Sequence, residues 1–202
     1  MKGRFLTIAL MAMMLLPAAA GAQNKQDISK HLATIRESYA SAMNMLQMKS
    51  DPEYPAKDKI VITSDEMWPG SGQHNGKMEI FFGLDLGNGE DGEEEDGIKR
   101  FPRFARYTYN IGSQKYYYEI LWYDPDDGKP EHCQPVFFYC KNTDYHDKTV
   151  ECRYYFWDGK LLKTLINNTQ QADEDYIPSP EEALLRAKMI FQLATMNNLW
   201  NY

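Results

Sequence analysis

The sequence has no apolar run long enough to cross a membrane as a helix. Such a span needs about 20 consecutive apolar residues, and the one candidate, 5–16, is twelve residues long. It also lacks a basic surplus: 22 Lys and Arg stand against 29 Asp and Glu, a net charge of −7. Nucleic acid is therefore not an expected partner, because its phosphates need a basic surface to neutralise them. Histidine is scarce, with four in 202 residues, and no two stand at a metal-binding spacing on one face of an element. The glycine-rich stretch 67–76 is not a phosphate loop, since Gly76-Lys77-Met78 opens a strand pattern and carries no Ser or Thr after the lysine. No catalytic, metal or cofactor signature rises above background, so none is expected.

What is present begins with a leader. Lys2 and Arg4 precede the apolar run, and Ala20-Gly21-Ala22 supplies the small residues that signal peptidase cuts. Cleavage is expected before Gln23, leaving one domain over 23–202 with a net charge of −9; the alternative is an uncleaved N-terminal anchor. Export places the chain in the periplasm or outside the cell, where disulfides persist. Only three cysteines are available. If the strands flanking His146 pair symmetrically, Cys140 and Cys152 face each other and a bridge between them is possible. Three reduced, buried thiols are the competing reading.

Aromatic and β-branched residues crowd 116–166 into four strand candidates separated by turn signals, an antiparallel meander. Asp158-Gly159 is the two-residue hairpin dipeptide. Upstream, strands are expected over 59–63, 77–84 and 101–109, with a loop over 67–76. The spacing of Ile28, Leu32, Ile35, Tyr39, Met43 and Leu46 predicts an amphipathic helix over 27–47, with His31 at its rim. A second helix starts at the capping box Ser179-Pro180-Glu181-Glu182 and runs to about 197, with Leu185, Met189, Leu193 and Met196 expected in the core. The fold class is α+β: about seven mainly antiparallel strands in a curved meander sheet, flanked by an N-terminal and a C-terminal helix.

The period of two separates the faces of the meander. Val150, Cys152, Tyr154 and Phe156 form a core face together with Val136, Phe138 and Cys140. The turn at 158–159 sets Tyr155 opposite Leu162, so Phe137, Tyr139, Tyr155, Trp157 and Leu162 gather on the other face. Left uncovered, they are a binding surface for a sugar ring or a peptide; covered by a helix or a second sheet, they are core. Trp68 and His74, flanking the 67–76 loop, are candidates for a binding lip. The acidic stretch 87–97 reads either as a solvated hairpin tip or as a weak cation loop that misses the EF-hand pattern. Adjacent His132 and Cys133 point to opposite faces of a strand, which disfavours a cysteine nucleophile.

Two segments, Trp68-Pro69-Gly70-Ser71-Gly72 leading into Met78-Glu79-Ile80-Phe81-Phe82 and the run from Arg153 to Leu161, resemble those of small exported proteins of Bacteroidetes-type bacteria. The resemblance extends to the order leader, helix, strands, helix, and implies a bacterial periplasm or surface without naming an activity. In outline the fold is similar to cystatin-like and nuclear-transport-factor-like half-barrels, which host both binding modules and enzymes. The expected function is a non-catalytic binding or interaction protein for a glycan, a peptide or a protein partner. The alternative is a hydrolase using Asp or Glu with His146 or His132 in a half-barrel pocket.

Overall fold

The computed structural model describes residues 4–47, 59–84, 100–125 and 132–198, with the side chains of its first helix described from Lys25 onward. A helix α1 (Arg4–Gln47) is followed by β1 (Lys59–Trp68), β2 (Gly72–Leu84), β3 (Arg100–Ile111), β4 (Gln114–Tyr123), β5 (Gln134–Thr143), β6 (Thr149–Trp157), β7 (Lys160–Asn167) and a helix α2 (Pro180–Asn198). The seven strands form one open antiparallel sheet in strict chain order. Each helix covers one face, giving three layers. Among the described residues no helix is long and apolar enough to cross a membrane. The acidic stretch 87–97 lies outside the described residues, as do the side chains of the expected leader.

Turn chemistry fixes the meander. Asp158 (φ 48°) and Gly159 (φ 69°) both take the left-handed region, as the two-residue hairpin requires. Between β5 and β6 the buried Asp144 carboxylate accepts the backbone N–H groups of His146 (2.8 Å) and Lys148 (2.9 Å), closing the turn. The 67–76 stretch is no loop. β1 runs on to Trp68 and β2 starts at Gly72, so the glycines and Pro69 serve a tight hairpin with Gly70 and Gly72 at φ +89° and +84°.

Three register shifts interrupt the ladders, and two of them move side chains away from their expected places. In β5 the register steps from Leu121 opposite Phe137 to Trp122 opposite Pro135, so Val136 is the extra residue of a bulge. Val136 consequently packs with the α1-side cluster, not with Phe138 and Cys140 as alternation predicts. In β7 a second shift sets Tyr155 opposite Lys163, with Leu162 skipped, and so corrects the expected Tyr155–Leu162 pair. Pro102 and Pro135 both sit beside bulges, where a missing ladder donor is tolerated.

The larger core lies between the sheet and α2: Ile80, Ala105, Tyr118, Ile120, Trp122, Phe138, Cys140, Cys152, Tyr154 and Phe156 meet Ala183, Ala187 and Ala194. The capping box forms, with Glu182 N–H donating to Ser179 Oγ and Ser179 N–H to Glu182 Oε2. The buried face of α2 differs from the expected one. Alanines let the helix approach closely, with Leu184, Ile190 and Phe191 beside them, while Leu185, Met189, Leu193 and Met196 are 43–61% exposed.

Cys140 and Cys152 face each other in register between β5 and β6, with Cα atoms 5.0 Å apart, and form a disulfide. Their sequence separation of 12 closes a short loop, for which the entropic stabilisation is about 3 kcal/mol. The double variant Cys140→Ser/Cys152→Ser is expected to unfold at correspondingly lower denaturant. An unchanged midpoint would show that the bridge adds nothing to the hairpin.

A cleft between the first helix and the sheet

Antiparallel register carries side chains across the sheet in rows, and on the α1 side three successive rows change character. The first is apolar at its centre: Phe81, Phe104, Leu121, Phe137 and Tyr155 lie opposite one another in turn. The second alternates charge with aromatics, running Glu79, Arg106, Glu119, Tyr139, Arg153. The third is polar, with Lys77, Thr108, Tyr117, Lys141 and Glu151.

Helix α1 lies on the apolar row. Ile35 and Ala42 are buried there, and Tyr39, Met43, Met45 and Leu46 pack against the same cluster. Of the two readings of the aromatic face, exposed patch or core under a helix, the structure has the face largely covered. Phe137 is buried with Tyr39 edge-on at 5.2 Å, and Trp157 is capped by His31, stacked at 4.1 Å. Tyr139, Tyr155, Trp157 and Leu162 remain half-buried against the helix.

Where the helix ends its cover, at the border of the first and second rows, a cleft of about 520 Å³ opens, lined by Ile35, Arg36, Tyr39, Glu119, Phe137, Tyr139, Arg153 and Tyr155. That volume lies within the range of small-molecule sites. Its floor is aromatic and its rim carries two guanidinium groups. The Arg153 guanidinium sits 5.2 Å from the Tyr139 ring centroid and 3.3 Å from the Glu151 carboxylate. Arg36 is exposed on the helix and makes no ion pair among the described residues.

Glu119 anchors the cleft to the helix. Tyr39 Oη donates to its Oε2 at 2.6 Å, and Tyr117 Oη donates to its Oε1. Burial first, and then the hydrogen bond to Glu119, push both tyrosine hydroxyls well above their ordinary range, so both stay protonated donors. Each carboxylate oxygen keeps a further lone-pair direction for a ligand donor. In the same row Glu79 is buried and clamped by Lys59 Nζ (2.9 Å), Lys77 Nζ (3.2 Å) and Arg106 Nε (2.6 Å). Burial alone would raise Glu79; the three cationic hydrogen bonds outweigh it and hold the carboxyl at about 2.

Of the residues singled out in the sequence, the cleft brings together Phe137, Tyr139 and Tyr155, with Trp157 behind them under His31. Trp68 and His74 lie elsewhere. They stack at 4.8 Å near the tip of the β1–β2 hairpin, with Trp68 Nε1 donating to Glu66 and the His74 ring bonded to Ser71. Alternation along β2 puts His74 on the same side as Ile80, which faces α2. His132 and Cys133 line a separate cleft of about 630 Å³ with Asp158, Lys188 and Phe191. His146 is exposed in the β5–β6 turn. Among the described residues no group of three His, Cys, Asp or Glu side chains could hold a metal ion.

Arg36, Glu119 and the hydroxyl role of Tyr39 were not foreseen from the sequence. Tyr39 and Glu119 are 80 positions apart, and they meet only because α1 crosses the middle strands on this face. No protein-family model, curated protein or solved structure matches the chain.

Proposed function

We propose that this chain is an exported, non-catalytic binding protein that captures a glycan or a peptide in the cleft between α1 and strands β4 to β6. The observation that carries the reading is the composition of that cleft: an aromatic floor of Phe137, Tyr139 and Tyr155 beside Arg153 and Glu119, each held by its neighbours, and the exposed Arg36. Few polar groups in fixed positions around an apolar floor are what orient a bound ligand. The alternative, a hydrolase using a carboxylate and a histidine, draws on the separate cleft, whose wall holds both His132 and Asp158, and not on this one. Among the described lining residues of the cleft under α1 there is no histidine, and Glu119 already accepts two tyrosine hydroxyls. Export is supported by the basic, apolar and small-residue order of 1–22 and by the disulfide, which fits an oxidising compartment.

Tyr155 is half-buried in the cleft wall, its ring against Phe137, and thermal melts of Tyr155→Ala separate lost binding from lost packing. Tyr155→Ala is expected to weaken capture on glycan or peptide arrays by about tenfold or more, the loss of one well-placed aromatic contact. Leu185→Ala, on the outer face of α2, is expected to leave capture unchanged. Equal capture by wild type and Tyr155→Ala would place the binding site elsewhere.

A further inference from the structure

Resting on that reading, we infer that the ligand of the cleft is an acidic sugar: a pyranose ring carrying a carboxylate, as in a uronic acid unit of a glycan. The chain as a whole is acidic, at −7, yet this face of the sheet is not. Among its described side chains eight Lys and Arg, from Lys59 on β1 to Lys160 and Lys163 on β7, stand against four acids, Asp65, Glu79, Glu119 and Glu151, and Arg36 of α1 adds a further cation at the cleft. A positive face on a negative protein selects an anion by charge complementarity and steers it in.

Within the cleft the demand is more specific. Arg36 and Arg153 offer planar forks that match a carboxylate better than a single point charge does. Glu119 makes the opposite demand. With both oxygens tied to tyrosine hydroxyls but lone pairs remaining, it requires hydrogen-bond donors on the ligand and repels a second carboxylate placed beside it. Sugar hydroxyls on a ring whose flat side lies on the tyrosine face, with the carboxylate directed to the arginines, meet both demands.

An acidic peptide meets them less well. Peptides gain affinity from sheets by adding a strand at an edge, where the main chain finds a ladder of partners. This cleft lies over the central strands β4 to β6, whose backbone groups are already paired.

The test is calorimetric titration of the full chain with three probes: a tetragalacturonate, the corresponding neutral galacto-oligosaccharide, and a tetraglutamate of equal charge. The tetragalacturonate is expected to bind at least tenfold more tightly than either other probe. Arg36→Ala and Arg153→Ala are each expected to reduce its affinity about tenfold, the loss of one charge-assisted hydrogen bond. Lys188→Ala, in the separate cleft, is expected to leave it unchanged, and thermal melts confirm that the variants fold. Equal binding of the neutral sugar, with no effect of the arginine variants, overturns the acidic-sugar assignment while the binding cleft stands. Tighter binding of tetraglutamate overturns it in favour of an acidic peptide. Binding of none of the three also overturns it, and the broader reading is then decided by the Tyr155→Ala array comparison alone.

Discussion

Trp122→Ala is expected to destabilise the fold by about 3–5 kcal/mol, the range for deleting a buried aromatic side chain whose cavity cannot collapse. Trp122 is 1% exposed, lies within the core between the sheet and α2, and meets Phe191 of that helix at 6.2 Å. The alanines of α2 offer no side chain long enough to fill the space. The indole Nε1 has no hydrogen-bond acceptor among the described residues, so Trp122→Phe removes an unmet donor together with part of the ring. Its cost is therefore expected to be small, about 1.5 kcal/mol or less. Denaturant melts of the two variants measure the contrast. If Trp122→Ala cost no more than Trp122→Phe, α2 would not be seated on this side chain.

A second large effect is expected on the acid side. The Glu79 carboxyl is depressed from 4.5 to about 2, so the folded state holds its proton more weakly than the unfolded chain does. The corresponding stabilisation is fully present above the unfolded value and is lost as pH falls from about 4.5 through about 2. The cations facing Glu79 are 39–52% exposed and hence screened by solvent. The contribution is therefore on the order of 2 kcal/mol, below what the shift alone implies. Glu79→Gln is expected to lower stability at pH 7 and to flatten its fall between pH 4.5 and 2. Parallel pH profiles for variant and wild type would assign the acid loss to other carboxylates.

The strands of 116–166 were legible because a period of two and a strong turn dipeptide act over a few residues. Asp158-Gly159 and the face holding Cys152, Tyr154 and Phe156 needed no knowledge of the rest. Bulges were not legible by alternation, which is how Val136 and Leu162 were misplaced, although Pro102 and Pro135 carried a signal for two of the shifts. The glycines at 70 and 72 suppressed a strand expectation when their role was to make the hairpin turn. On α2 the large apolar residues drew attention from the alanines, because periodicity finds both stripes and only close approach to the sheet chooses between them. Half of the site was similarly visible. Phe137, Tyr139 and Tyr155 share a face by period alone, whereas the pairing of Glu119 with Tyr39 depends on which strands a distant helix crosses.

The strict chain order of the strands also bears on how the molecule assembles. Every strand pairs only with its neighbours in sequence, so each hairpin can close as soon as its second strand is available, at little loop-closure cost. The 140–152 bridge lies within one such hairpin and needs no other part of the fold. The long-range steps are the seating of the two helices. The cleft beneath α1 is therefore the product of a late docking event, completed only when α1, which precedes the sheet in sequence, lies down across strands made much later.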